Sequence, residues 1–420
     1  MTFDRRSFLA LCGATGVSFG LAPWLRGARA AATPTGPFFV TVHAGGGWDP
    51  TMLCDPKGTP TYESPSPVNT FLESDILDIG PFRVAPVSGH ESFFSRFQDQ
   101  LLVINGLDNQ TVSHETGTRA IWSGSTDPNT PAFNALVAAT ANPQPTLAYL
   151  SNGGYDRTAG LVAPTRIPDA DAIQELAYPD RWDVDEPDSL LLTPGATDRV
   201  IQARAERLAR LREQETLPRA ARAMDMLSQA RSGENELANL AAYLPDDLDS
   251  SNNSLYRQAE VAMAAFRAGV SVSANLSIGG FDTHNDHDDN QSDALIDLLA
   301  GVQFVMDEAE RQGIADKVVI MIGSDFGRTP YYNATSGKDH WPITSAMLMG
   351  PGIRGGRVIG ATEHDMLAKN VDPSSLQVVE SGGVTLTPAH LHASLRQLAG
   401  IADDPLVQPW EMGDPLPLFA

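Results

Sequence analysis

Cysteine is nearly absent: the 420 residues hold two, Cys12 and Cys54. Cys12 falls in an N-terminal segment that reads as a removable signal, which leaves one thiol and no internal disulfide in the rest of the chain. Stability must then come from a hydrophobic core, and about 390 residues suffice for a large one. Basic residues are scarce too, with 29 Lys and Arg against 52 Asp and Glu. Without residues 1–30 the counts become 25 and 51, a net charge of −26. So acidic a surface repels nucleic acid and anionic lipid, and no nucleic-acid partner is expected. The acids are spread along the chain, as on a solubilising surface, and form no tail. Also missing is a run of about 20 strongly apolar residues, the length that spans a bilayer. The nearest approach, Leu9–Leu25, is diluted by Gly, Ser and Thr and closed by Pro23 and Arg26. No repeat of fixed period is visible.

What is present begins with Asp4-Arg5-Arg6-Ser7-Phe8-Leu9, followed by that weak apolar stretch and by the small-x-small site Ala28-Arg29-Ala30. This is the pattern of a cleaved twin-arginine signal over residues 1–30. A lipoprotein signal would need a small residue before Cys12, where Leu11 stands. The expectation is export in the folded state by the twin-arginine translocase, a periplasmic or secreted location, and no membrane span in the mature form. Proteins taking that route often carry a metal or cofactor loaded beforehand.

Strands and helices alternate. Phe38–His43 reads as a buried first strand ending in Gly45-Gly46-Gly47, and Leu101–Ile104 as a second ending at Asn105-Gly106. His114–Trp122 reads as a helix, 51–90 as an irregular loop, and 198–244 as helices broken at Pro218. Further elements are a helix at 257–268, a strand at 270–278, an amphipathic helix at 293–312, strands at 318–322 and 346–349, and a closing helix at 388–398. Continuous apolar strands alternating with helices predict an α/β fold, a doubly wound, mainly parallel sheet with helices on both faces. Residues 31–420 then form one domain with a helical insertion at about 141–250.

Ligands bind open parallel sheets beyond the carboxyl ends of the strands. There the sequence repeatedly delivers Asp or His: Asp49 after the first strand, Thr111-Val112-Ser113-His114 downstream of the second, Asp282 and His284 after Gly279-Gly280, Asp325 after the apolar 318–322 run, and Asp339-His340 soon after. Carboxylates and imidazoles together suit a divalent cation. Asp49, Asp282, His284, Asp325 and His340 are the candidate metal ligands, for one or two ions of Zn, Mn, Mg or Ca. Asp49 could instead cap a turn beside Pro50. Asp282 and His284 could belong to a solvated loop, since Asp286, His287, Asp288 and Asp289 read as surface charge. Residues 282–293 lack the central Gly and closing Glu of a calcium-binding EF-hand loop. Ser113 is a candidate nucleophile at a helix start, or simply an N-cap. His114 is a candidate member of the site, and His43 either a site residue or a packed core histidine. Arg328 would clamp an anionic substrate or orient Asp325.

These motifs resemble the DUF1501 family, exported bacterial proteins of undefined function. The resemblance rests on Gly46-Gly47-Trp48-Asp49, Ser113-His114, Gly279-Gly280-Phe281-Asp282-Thr283-His284, Ser324-Asp325-Phe326-Gly327-Arg328-Thr329, Gly337-Lys338-Asp339-His340 and Gly355–Gly360. That family in turn resembles a branch of the alkaline phosphatase and sulfatase superfamily, which implies two divalent metals and a site order of Asp49, Ser113, Asp282 with His284, Asp325 and His340. Where the superfamily places His after the fourth-strand Asp, this chain has Phe326. Two functions follow as expectations. One is a metal-dependent hydrolase of phosphate or sulfate esters, with an anionic ester as substrate. The other is a non-catalytic metal-binding envelope protein on the same fold.

Overall fold

The computed structural model describes residues 35–419, apart from 64–65, scattered positions in 168–187 and most of 218–233. The expected signal at 1–30 and the break at Pro218 lie outside the described residues.

In chain order the strands are β1 (Phe38–Ala44), β2 (Leu77–Ile79), β3 (Phe82–Val84), β4 (Leu102–Asp108), β5 (Tyr149–Ser151), β6 (Pro164–Thr165), β7 (Ser273–Ile278), β8 (Val318–Ser324), β9 (Gly327–Arg328), β10 (His340–Trp341), β11 (Ile343–Met349) and β12 (Arg357–Ile359). The α-helices are α1 (His90–Phe97), α2 (His114–Ser123), α3 (Phe133–Thr140), α4 (Pro194–Gln214), α5 (Glu234–Ala241), α6 (Ser254–Ala268), α7 (His287–Arg311) and α8 (Pro388–Leu398). The chain divides into two compact units. The larger comprises Pro34–Arg166 and Leu244–Ala420, and the described part of the smaller falls within Ile167–Tyr243 and contains α4 and α5.

Eight strands of the larger unit form one sheet in the order β12-β4-β11-β8-β1-β7-β5-β6. Every neighbouring pair is parallel except those made by β11, which runs antiparallel to both β4 and β8. The central strands β1 and β8 are buried along their whole length, as their unbroken apolar runs require. Successive side chains of a strand point to opposite faces, and β1 shows both faces covered. Phe38 stacks on Phe266 of α6 with ring centroids 4.8 Å apart, and Phe39 meets Phe133 of α3 edge-on at 5.4 Å. The fold is the α/β, doubly wound, mainly parallel sheet that the alternation of elements predicts.

Several details differ from the sequence reading. β4 does not stop at Asn105-Gly106 but continues to Asp108. Gly106 sits inside it at φ +67°, where a Cβ would press on the carbonyl of Ala361 at 2.6 Å. The pairing with β11 slips there, between Thr344 and Ala346, so the glycine marks a bulge and not a strand end. The helix expected from residue 293 starts at His287, so the charged run before it is a helical first turn. The 51–90 segment contains the hairpin of β2 and β3. Within 141–250, β5 and β6 belong to the main sheet.

β1, β4, β7 and β8 all end at one rim of the sheet. Because β11 runs the other way, the residues before it, including β10, reach that same rim.

Candidate metal centre

Three histidines and one aspartate meet at this rim. His114 opens α2, Asp282 and His284 follow β7, and His340 lies in β10 just before β11. One donor atom each from His114, Asp282 and His340 lies within 4.8 Å of the other two. His284 joins them: its Nε2 is 2.9 Å from His340 Nε2 and 3.1 Å from Asp282 Oδ1. Asp282 Oδ1 is also 3.1 Å from His340 Nε2, and Asp282 Oδ2 is 3.5 Å from His114 Nε2.

The other nitrogen of each ring decides which tautomer is present. His340 Nδ1 lies 2.9 Å from the Val112 carbonyl oxygen, which can only accept, so Nδ1 carries the proton. His114 Nδ1 donates to Asp325 Oδ2 at 2.7 Å, and His284 Nδ1 donates to Asp339 Oδ1 at 2.8 Å. All three rings therefore turn an Nε2 lone pair toward the Asp282 carboxylate. Four electron-rich atoms converge there with no proton of their own to share, an arrangement that a cation completes. In a tetrahedral zinc site with bonds of about 2.0–2.1 Å, neighbouring donors stand about 3.3–3.4 Å apart. The four short contacts, 2.9–3.5 Å, lie near this spacing; His114, Asp282 and His340 offer donors all within 4.8 Å of one another, and His284 stands beside two of them. An outer acceptor on every ring is likewise the usual support of metal-bound histidine. The residues present thus fit a single divalent ion.

The surroundings fix this geometry. Asp325, at the end of β8, is buried, with Oδ1 3.3 Å from His43 Nε2 and both oxygens 3.3 Å from the Gly46 amide. Trp122 Nε1 donates to His43 Nδ1 at 2.9 Å, which leaves the His43 proton on Nε2, facing Asp325. Burial pushes the His43 pKa down, against the pull of Asp325, in keeping with a neutral ring. Gly46 has φ +125°, and a Cβ there would strike the backbone of Phe281 and Asp282. Phe326 is fully buried and packs against His114 and His340 at centroid distances of 4.9 and 4.3 Å. Where a further ligand could stand, this chain has an apolar support for two rings. Burial alone would raise the Asp282 pKa, but the hydrogen bond and charge of Arg328 hold it below the usual carboxylate range.

The structure thus brings together Asp282, His284 and His340 of the expected ligands and adds His114. It places two others elsewhere. Asp325 touches the centre only through His114, as the acceptor that orients it. Asp49 is fully buried and engaged on both oxygens: Oδ1 accepts from the amide and hydroxyl of Thr51 at 2.8 and 2.7 Å, and Oδ2 lies 2.6 Å from Lys338 Nζ and 3.0 Å from His287 Nε2. Burial pushes the Asp49 carboxyl up, but the Lys338 ammonium and the His287 bond outweigh it and hold the group well below the usual carboxylate range. Expected as a metal ligand, Asp49 instead has an internal ammonium as its cation.

Arg328 neither pairs with Asp325 nor faces solvent. It is fully buried, and its donors go to the carbonyl oxygens of Gly46, Gly47, Phe281 and Lys338 and to Asp282 Oδ1 at 2.8 Å. It clamps three rim loops together and, being fully buried, turns no donor to solvent where an anion would sit. Ser113 is the N-cap of α2, is exposed, and makes no side-chain capping bond. The sequence reading brought Asp339 to the rim beside His340 without giving it a role, took His287 for surface charge, and passed over Lys338. His287 was hidden in an acidic run, and Lys338 lay inside a motif without a chemical reason to single it out.

Among the described residues, no helix is long and apolar enough to cross a membrane. No curated protein matches the chain. Among solved structures it is similar to i-CgsB in complex with a neocarrahexaose (TM-score 0.42, 10% identity, 91% of this chain and 76% of that one). It is also similar to the lipoteichoic acid synthase LtaP from Listeria monocytogenes (TM-score 0.40, 7% identity, 98% and 80%). A third is an alkaline phosphatase superfamily protein from Vibrio parahaemolyticus (TM-score 0.37, 9% identity, 95% and 76%). The model of one family, described as a protein of unknown function, matches residues 169–408, a span that holds Asp282, His284, Asp325 and His340 while Asp49, Ser113 and His114 precede it. The chain belongs to that family, DUF1501.

Proposed function

We propose that the protein is an exported hydrolase of phosphate or sulfate esters that works with one divalent ion held by His114, Asp282, His284 and His340. The observation that carries this reading is the convergence of three Nε2 lone pairs on one carboxylate, each ring locked through its Nδ1. Three imidazoles with one carboxylate favour zinc over magnesium or calcium. When bound, the ion supplies Lewis-acid polarisation of an ester oxygen.

The chain's own residues supply the rest. Ser113 stands beside the ligand His114, with its hydroxyl exposed at the start of α2. The first backbone N–H groups of that helix have no partner within it and favour negative charge. Ser113 Oγ forms the bond to phosphorus or sulfur as the bond to the leaving alkoxide breaks, its hydroxyl proton passing through solvent to that alkoxide, and water then cleaves the Ser113 ester, returning a proton to Oγ and releasing sulfate, phosphate or, from a diester, a phosphate monoester. Asp325, Asp339 and the Val112 carbonyl keep the three rings in their working tautomer. The burial of Arg328 among rim-loop carbonyls speaks for the second reading, a non-catalytic metal-binding envelope protein, because this guanidinium does not face an anion. Export would use the twin-arginine translocase.

Protein purified from its native export route should contain one equivalent of metal and turn over aryl phosphate, aryl sulfate or phosphodiester probes, and Ser113→Ala should abolish turnover while keeping the metal. Full activity of Ser113→Ala would remove the nucleophile assignment. Metal without turnover of any probe would favour the binding protein, and absence of metal would remove both readings.

A further inference from the structure

Charge at the centre bears on which esters it accepts, an inference that rests on the hydrolase reading above. Among the described side chains bonded to the four donors or to the acceptors behind them, Arg328 is the one permanent cation. Metal-bound histidines are neutral. The charges to be counted are then a dication and Arg328 against Asp282, Asp325 and Asp339, and they cancel. Two nearby pairs cancel separately: Lys338 with Asp49 at 2.6 Å, and Arg119 with Glu115 at 2.8 Å. Glu115 is in the first turn of α2, its side chain 86% exposed, so it places a negative charge beside the amides that would face the ester. Nothing in this bonded set offsets a second negative charge on a substrate.

We infer that the centre selects singly charged tetrahedral esters, meaning sulfate monoesters and phosphodiesters, over the dianionic phosphate monoesters, and that Glu115 is one of the residues setting this preference. A second charge on the ligand meets a centre whose own charges already sum to zero, with the exposed carboxylate of Glu115 in the same helix turn, and there one extra charge changes affinity on the order of tenfold.

The test uses the full, metal-loaded chain carrying Ser113→Ala, so that probes bind without reacting, and measures affinity by calorimetry. Phenyl sulfate, a monoanion, should bind at least about tenfold tighter than phenyl phosphate at pH 8, where the latter is a dianion. Lowering the pH to 5.5 should close the gap, because phenyl phosphate takes up its second proton near pH 6. Phenyl sulfate, which does not titrate there, reports any change in the protein itself. Adding Glu115→Gln should raise phenyl phosphate affinity at pH 8 by about two- to fivefold, and that of phenyl sulfate less. Equal or tighter binding of phenyl phosphate at pH 8 overturns the charge preference and leaves the hydrolase reading standing. A preference unmoved by Glu115→Gln removes that residue's role. Binding of neither probe overturns both inferences.

Discussion

Replacing Lys338 with Met tests whether the buried ammonium holds the rim loops together. Lys338 and Asp49 are both fully buried, 2.6 Å apart, and the ammonium also donates to Asn69 Oδ1 at 2.7 Å and lies 3.3 Å from Thr51 Oγ1. Methionine keeps the length of the side chain and leaves Asp49 charged, buried and short of its main partner. Breaking one side of a buried pair costs about 3–5 kcal/mol. The larger unit spans Pro34–Arg166 and Leu244–Ala420, about 310 residues. At about 2.1 cal/mol/K per residue its unfolding entropy near Tm is about 0.65 kcal/mol/K, so Tm should fall by about 5–8 °C. Asp49→Asn alone should cost a similar amount, by stranding the ammonium. The double variant should be less damaging than the two losses added, with a coupling of at least about 2 kcal/mol. The pH dependence gives a separate check. The folded Asp49 carboxyl is held below its unfolded value, so its contribution is present in full above about pH 4 and is lost as pH falls further; Lys338→Met should flatten that acid limb. Calorimetric melts of the four proteins between pH 3 and 7 measure all of this. Additive losses, or an unchanged Tm for Lys338→Met, would refute the pairing.

Three further perturbations have calculable outcomes. Gly337→Ala would drive a methyl group into the backbone carbonyl of His284, so it should displace that ligand and weaken metal affinity far more than it lowers Tm, as read by competition with a chelator dye. Asp325→Asn and Asp339→Asn each exchange an ionised acceptor behind a histidine for an amide, and each should loosen the metal by about 10- to 100-fold; an unchanged affinity would mean that the ring they hold is not a ligand. Burial lowers the His90 pKa to about 4, opposed by its bond to the Ala85 carbonyl. His90 therefore adds stability that is complete above pH 6.5 and drains away as pH falls toward 4. His90→Gln should remove that part of the acid sensitivity in urea titrations.

The sheet was legible in the sequence because its strands are buried on both faces, and the runs at 38–43 and 318–322 admit few other uses. What escaped was set by tertiary context. Asn105-Gly106 carries the usual mark of a turn, yet the strand continues because β11 tolerates a bulge beside it. The reversed direction of β11 also left no trace in composition. It brings His340 to the rim from the start of a strand and not from the end of one, so the expected proximity to Asp282 arises by a different path.

At the site, Asp and His could be recognised as metal-type donors, but their division of labour could not. Asp49 and Asp325 follow strands just as Asp282 follows β7, and nothing local distinguishes an aspartate that binds an ion from one that orients a ring or neutralises a lysine. The distinction lies in partners far away in the chain: Lys338 lies 289 residues beyond Asp49, and Asp325 lies 211 beyond His114. Lys338 bears on how many ions the proposed centre would hold. Its ammonium takes the oxygens of Asp49, Thr51 and Asn69 that could otherwise surround a hard cation, while Phe326 closes the space beside His114 and His340. On the single-ion reading proposed above, an internal lysine and a phenylalanine, neither of them a ligand, fill the places beside Asp49 and Asp325 from which a second ion would have been held.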